Sequence, residues 1–177
     1  KAETAKEFSE QAQFVNYDGY KGMFESRSIN RKGLLLWMSH PAWPSMTWQT
    51  YDWFLEPNAS YFGCKKGAEP LHIQWNPAEN VIEVVNYHGG DQNGLTAEAL
   101  IMNMDGTVKW SMESVVDSKE DSTLKCFGIE FPEELSEVHF IKLYLRKDGK
   151  VISDNFYING KEYGKHQAMK DMAKAEV

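Results

Sequence analysis

The residues with the clearest potential for chemistry lie between positions 33 and 76, where aromatic side chains are concentrated. Five of the six tryptophans of the chain fall in this segment: Trp37, Trp43, Trp48, Trp53 and Trp75. An apolar run at 34–38 ends in a His-Pro-Ala-Trp-Pro loop. This order is typical of a parallel strand leading to a crossover helix, and in a (β/α)8 barrel the loop after such a strand carries active-site residues. Because 177 residues are too few for such a barrel, we interpret the segment as a piece of a larger enzyme.

The spacing of apolar residues on either side of this loop predicts the helices and the strand that would position it. Residues 1–32 show apolar side chains at helical spacing, and the run Asn16-Tyr-Asp-Gly predicts a break between two helical pieces. A strand is predicted at 33–38. Pro41 and Pro44 then exclude ladder hydrogen bonding in the loop. A helix capped by Ser45 or Thr47 is predicted to run to about Phe54.

From residue 70 the chain changes to alternation at period two, with turn residues at short intervals. Strands are predicted at 71–75, 81–87, 96–103, 108–116, 123–129, 138–146 and 151–157. Asp105-Gly106 and Asp148-Gly149 are hairpin signals. The predicted fold class is therefore mainly β, an immunoglobulin-like antiparallel β-sandwich preceded by a helical segment left from the end of a barrel.

Composition excludes several classes of function. The net charge of −7 and the absence of any basic run disfavour nucleic acid as a partner. The longest apolar run is five residues, far below the roughly 20 that a membrane span needs. Cys64 and Cys126 could form one disulfide, but two buried thiols are favoured in a chain with this much core. The five histidines lie far apart and no glycine-rich phosphate loop is present, so we expect neither metal nor cofactor.

Three segments resemble the family 2 glycoside hydrolases, and in particular the branch of exo-β-glucosaminidases and endo-β-mannosidases. They are Trp37-Met-Ser-His-Pro-Ala-Trp-Pro-Ser45, Tyr51-Asp52 and Tyr61-Phe-Gly-Cys-Lys-Lys-Gly-Ala-Glu-Pro-Leu-His-Ile-Gln74. The resemblance spans about residues 20–177. It implies that 1–69 are the C-terminal portion of a (β/α)8 catalytic barrel, that 70–165 are the following immunoglobulin-like sandwich, and that 166–177 link to a further β-domain.

The same resemblance implies that both catalytic carboxylates lie upstream of this chain, which then holds no catalytic residue. It assigns Trp43 to the wall of the sugar subsite, because an indole face packs well on the C–H bonds of a pyranose. Ser39 and His40 are expected to hydrogen-bond substrate, although they depart from the pair of asparagines expected in the glucosaminidase branch. Four further aromatic residues are expected to serve packing instead: Trp37, Trp48, Trp53 and Phe54. The acids near the cluster are expected to be solvated or to cap helices: Asp18, Glu25, Asp52, Glu56 and Glu69.

The predicted function is thus a fragment of a retaining β-glycosidase that cleaves β-linked glucosamine, mannose or related sugars, inert when alone. Its partner in the whole enzyme would be a β-linked oligosaccharide or glycoside, and the resemblance places that enzyme in the periplasm or outside the cell. A free-standing carbohydrate-binding or structural β-sandwich module is the alternative. An isolated end of a barrel should also expose apolar surface, which predicts self-association.

Overall fold

The computed structural model of the chain describes residues 2–26, 33–45, 49–162 and 168–169. The chain divides into two compact units, Lys1–Glu69 and Pro70–Val177. The predicted linker at 166–177 lies almost entirely outside the described residues. None of the described helices is long and apolar enough to cross a membrane.

The first unit is built on two helices, α1 (Ala5–Glu25) and α2 (Ala59–Gly67). Helix α1 begins at Thr4, whose side chain accepts a hydrogen bond from the backbone N–H of Glu7. It continues without interruption through Asn16 to Gly19, so the predicted break is wrong. Weak helix formers at these positions disfavour a helix only slightly, and packing against α2 outweighs that preference.

Two glycines on α2, Gly63 and Gly67, allow the two helices to approach at backbone distance. A β-carbon at Gly63 would lie 2.3 Å from the carbonyl oxygen of Tyr17, and one at Gly67 would lie 2.7 Å from the β-carbon of Phe24. The α2 N-terminus is also tied to α1, because the backbone N–H of Ala59 donates to the side-chain oxygen of Gln13 at 2.8 Å. Glycine is therefore required where α2 lies on α1.

The strand predicted at 33–38 is not formed: these residues are in no strand, and Leu35 is 99% exposed. A parallel strand needs neighbours to accept and donate its ladder hydrogen bonds, and the described residues of the first unit contain no strand to supply them. The helix predicted to reach Phe54 is also absent from 49–54. There, one carboxylate oxygen of Asp52 accepts the N–H groups of Phe54 and Glu56, a local arrangement that competes with a helix.

The second unit contains all seven predicted strands. They are β1 (Leu71–Asn76), β2 (Val81–Asn86), β3 (Gln92–Asn103), β4 (Val108–Ser118), β5 (Ser122–Gly128), β6 (Val138–Lys147) and β7 (Lys150–Gly160). Two antiparallel sheets result, with strand orders β1-β2-β5 and β4-β3-β6-β7. The sandwich prediction is confirmed. The β6–β7 hairpin turns at Asp148-Gly149, where both residues have positive φ, as a two-residue type I′ turn requires.

The alternation at period two sorts the side chains of β6 onto two faces. Ile141, Leu143 and Leu145 are fully buried between the sheets, where they pack with residues of both sheets such as Ile73, Ile82, Val84, Leu95 and Ile101. On the outer face Lys142 pairs with Asp154 at 2.8 Å and Arg146 with Glu98 at 3.2 Å. The period of two therefore decides which side chains form the core.

One side of the sandwich is closed by side chains of β7 that bond to the backbone of β1. The hydroxyl of Ser153 accepts the N–H of Ile73, the hydroxyl of Tyr157 accepts the N–H of Trp75, and the amide of Asn155 donates to the carbonyl of Ile73. Since β1 is a sheet edge, these bonds satisfy backbone groups that no further strand pairs.

His139 belongs to a buried polar cluster at one end of β6. The side-chain amide of Asn159 donates to its Nε2 at 3.2 Å, so Nδ1 carries the ring hydrogen and faces the carbonyl of Ser136 at 3.4 Å. Burial lowers the pKa of His139 below its ordinary value of 6.5, opposed by the Ser136 carbonyl and assisted by the charge of Lys161. The neutral ring is therefore the form that the fold stabilises.

We expect the contribution of His139 to stability to be lost at acidic pH. The unfolded chain binds this proton at a higher pH than the folded chain, so stability falls as pH drops below 6.5 and continues to fall to the lower folded pKa. Urea unfolding of the native chain and of His139→Gln between pH 7.5 and 5 tests this. The stability advantage of the native chain should shrink as pH falls, and an advantage that stays constant would contradict the assignment.

Candidate functional site

The three residues predicted to bind substrate lie on one loop of the first unit. Ser39 and His40 are exposed, and Trp43 leaves 66% of its surface accessible. Pro41 between them is buried, which fixes the middle of the loop while both neighbours remain at the surface. The loop thus presents a hydroxyl, an imidazole and an indole to solvent within five positions.

The beginning of the loop is held by two hydrogen bonds to the carbonyl oxygen of Ser39. The backbone N–H of Tyr51 donates to it at 2.9 Å, and the hydroxyl of Thr50 donates to it at 3.0 Å. Thr50 is only 4% exposed. Both donors lie eleven or twelve positions along the chain, and no pattern in the sequence points to this pairing.

The segment that carries Thr50 is held in turn by the N-terminus of α2. The backbone carbonyl of Gln49 accepts the hydroxyl of Ser60 at 2.8 Å and the side-chain amide of Asn58. The backbone N–H of Asn58 donates to the carbonyl of Thr50 at 3.1 Å, and its side-chain oxygen caps α2 by accepting the N–H of Ser60. A continuous set of hydrogen bonds therefore runs from the cap of α2 to the candidate loop.

The aromatic residues assigned to packing are not all buried. Trp37 is 79% exposed, and Phe54 and Trp53 are also exposed. Trp48 lies outside the described residues. Exposure does not separate Trp43 from Trp37, because both side chains are exposed and both lie in the same segment.

Acidic residues near the loop are engaged in local structure. The Asp52 carboxylate closes its own turn, and Glu69 pairs with Lys66 at 2.7 Å. Glu25 is buried on α1 close to the charge of Lys21, whose pKa burial lowers and Glu25 raises. Among the described residues, no group of three or more His, Cys, Asp or Glu side chains is arranged to hold a metal ion.

The two cysteines are free thiols in conditions that disfavour nucleophilic chemistry. Burial raises the pKa of the Cys64 thiol, and burial raises that of Cys126 to about 11. Because the thiolate is the reactive form, neither side chain is activated as a nucleophile. The chemistry available at the loop is recognition by an aromatic face, a hydroxyl and an imidazole.

No protein-family model matches the chain. The exo-β-D-glucosaminidase of Amycolatopsis orientalis is 33% identical over 161 residues, which are 85% of this chain and 16% of that enzyme. The mannosylglycoprotein endo-β-mannosidase of Lilium longiflorum is 31% identical over 160 residues, 85% of this chain and 17% of that enzyme. The crystal structure of the Amycolatopsis orientalis exo-chitosanase CsxA superimposes with a TM-score of 0.84 at 29% identity, covering 91% of this chain and 20% of that one.

The extent of these similarities bears on both units. A match over 85% of the chain cannot be confined to the second unit, so the relatives share the helical unit as well as the sandwich. The chain nevertheless spans only about a sixth of the length of the curated relatives it matches.

Proposed function

This chain belongs to the exo-β-glucosaminidase and β-mannosidase branch of the family 2 glycoside hydrolases, and on that premise we propose that it is a piece of a longer retaining β-glycosidase. Residues 1–69 form the C-terminal portion of the catalytic (β/α)8 barrel, 70–165 the bracing sandwich, and 166–177 the link to a further β-domain. The parent enzyme cleaves β-linked glucosamine, mannose or related sugars, and acts in the periplasm or outside the cell.

The observation that carries this proposal is the run at 33–38, which forms no strand and is largely exposed in a chain one sixth the length of its relatives. Strands of a closed barrel have a neighbour on each side, and helices cover their outer faces. Leu35 and Trp37 would be covered by such neighbours in the parent. In the isolated chain they stay in contact with water, together with apolar side chains of α1 such as Phe8 and Val15.

The loop after this run supplies one wall of the sugar pocket. The exposed indole of Trp43 offers a flat apolar face for the C–H bonds of a pyranose ring. The hydroxyl of Ser39 and the imidazole of His40 lie on the same loop and can donate to or accept from sugar hydroxyls or an amine. An aromatic platform with a few polar groups beside it is the usual composition of a small-molecule site.

The isolated chain is inert in this proposal. Retaining glycosidases need two carboxyl groups about 5–5.5 Å apart, one acid/base and one nucleophile. The acids closest to the loop in sequence are used in turns or ion pairs, as Asp52 and Glu69 illustrate. The resemblance to the family implies that both catalytic carboxylates come from the part of the parent that precedes this chain.

A panel of nitrophenyl β-glycosides, tested side by side on this chain and on the parent enzyme, tests the assignment. We expect turnover by the parent alone, with the preferred sugar defining glucosaminidase or mannosidase activity. Adding this chain to the parent truncated before it should restore part of that turnover if the two pieces reassemble the barrel. Turnover by this chain alone would overturn the proposal, and retardation of the chain on a β-glycan affinity gel would favour the free-standing module.

Self-association of the isolated chain is a second consequence. Several large apolar side chains of the first unit are exposed, among them Leu35, Trp37 and Phe54, so we expect concentration-dependent dimers or larger species in sedimentation velocity. A chain that stays monomeric at high concentration would contradict an unpaired barrel remnant.

Trp43→Ala in the parent should lower kcat/KM about 100-fold, because it removes the face on which the sugar ring packs. Loss of an aromatic contact that orients substrate costs about 3 kcal/mol when it acts in the transition state. Trp43→Phe should recover part of the loss. Trp53→Ala, at another exposed tryptophan of the first unit, is the matched control and should change kcat/KM less than threefold. Equal losses in the two alanine variants would exclude a specific role for Trp43.

A further inference from the structure

The loop that carries Ser39, His40 and Trp43 has its middle fixed by the buried Pro41, but Pro41 does not fix where the loop begins. None of its residues lies in a helix or a strand, and its exposed side chains project into solvent. A loop that contributes to a binding site must nevertheless be held close to one geometry, because a misplaced contact loses much of its effect. The anchor must therefore come from outside the loop.

The geometry points to Thr50: we propose that it is a positioning residue that fixes the start of this loop through the carbonyl of Ser39. Its hydroxyl donates to that oxygen at 3.0 Å, and the side chain is almost fully buried. A buried hydroxyl has few alternative partners, so this hydrogen bond defines where the loop begins. The inference rests on the proposed function for its effect on catalysis, but not for its effect on the loop.

The position of Thr50 is itself set by α2. Ser60 is fully buried and donates to the carbonyl of Gln49, next to Thr50, while Asn58 donates to the carbonyl of Thr50. Asn58 also begins α2 as its N-cap. The N-terminus of α2 thus fixes the backbone carbonyls of Gln49 and Thr50. The Thr50 hydroxyl in turn fixes the carbonyl of Ser39.

Because the Ser39 carbonyl has a second donor, the loss of the Thr50 hydroxyl can be tested without unfolding the chain. In a Thr50→Val variant the carbonyl of Ser39 keeps the backbone N–H of Tyr51 at 2.9 Å, so no buried acceptor is left without a donor. Valine has nearly the shape of threonine, so no cavity is created. The variant should fold, and the loop should be held by one bond instead of two.

The first test uses the 177-residue chain labelled with 15N and observes the indole N–H of Trp43, assigned by its loss in Trp43→Phe. We expect Thr50→Val to shift and broaden this signal while the amide signals of α1 stay in place. Thr50→Ser retains the hydroxyl and should restore the native signal. Ser60→Ala, one bond further away, should produce a smaller shift in the same signals. Unchanged Trp43 and loop signals in Thr50→Val would overturn the proposal.

The second test uses the parent enzyme and a nitrophenyl β-glycoside. Thr50→Val should lower kcat/KM about tenfold, mainly through a higher KM, and Thr50→Ser should stay within twofold of the native enzyme. Thr123→Val, at an exposed threonine of β5, is the control and should have no effect. A loop that moves in the first test while the parent hydrolyses no glycoside would reject the proposed function and keep the positioning role. Native kinetics in Thr50→Val would reject the catalytic consequence of that role.

Discussion

Gly63→Ala is expected to destabilise the helical unit by about 3 kcal/mol or more, the largest effect that we predict for a single methyl group in this chain. The added β-carbon would lie 2.3 Å from the carbonyl oxygen of Tyr17 and 3.1 Å from the backbone nitrogen of Lys21. Both are backbone atoms of α1, so no side chain can rotate away. The helices must separate, and separation exposes Lys21 and Tyr20, which are buried on the contacting side of α1.

Gly22→Ala provides the matched control for this prediction. Gly22 is also helical, but a β-carbon there would meet nothing within 4 Å. Alanine in an open helical position should stabilise the unit by up to about 1 kcal/mol, because it reduces the freedom of the unfolded chain and favours the helix. Urea unfolding followed by the helical circular dichroism signal measures both variants. Similar stabilities for Gly63→Ala and Gly22→Ala would show that the helices do not pack at Gly63.

Asn155→Ala is expected to destabilise the sandwich by about 3 kcal/mol. The Asn155 amide nitrogen lies 2.9 Å from the carbonyl oxygen of Ile73, 2.9 Å from the hydroxyl of Tyr157 and 3.2 Å from the Nε2 atom of His72. All these groups lie where side chains of β7 pack against β1. Alanine would leave a small cavity and remove the donor that satisfies the buried Ile73 carbonyl.

The reference variant for this second prediction is Asn93→Ala, at an exposed asparagine of β3. A surface change of this kind should alter the free energy of unfolding by no more than about 0.5 kcal/mol. Thermal and urea unfolding of both variants, followed by tryptophan fluorescence, give the comparison. Because Trp75 packs on Tyr157 at 5.7 Å between ring centroids, its emission should also change in Asn155→Ala. Equal stability of the two variants would mean that Asn155 does not hold β7 against β1.

The seven strands and their order along the chain were determined by the sequence alone. Alternation at period two decides locally which side chains avoid water, and Asp148-Gly149 supplies the positive φ values that a tight hairpin needs. These rules act between near neighbours in sequence. The resemblance to family 2 glycoside hydrolases also followed from short motifs that similarity to known enzymes then supported.

Other features were decided only by the tertiary structure. Helix α1 continues through Asn16 to Gly19 because α2 packs against it, and the run at 33–38 forms no strand because the described residues of the first unit hold no strand beside which a ladder could form. The bond from Thr50 to the carbonyl of Ser39 joins residues eleven positions apart with no periodic signal. Each of these outcomes depends on which distant backbone group comes within hydrogen-bond or van der Waals reach, and local preference carries no information about that distance.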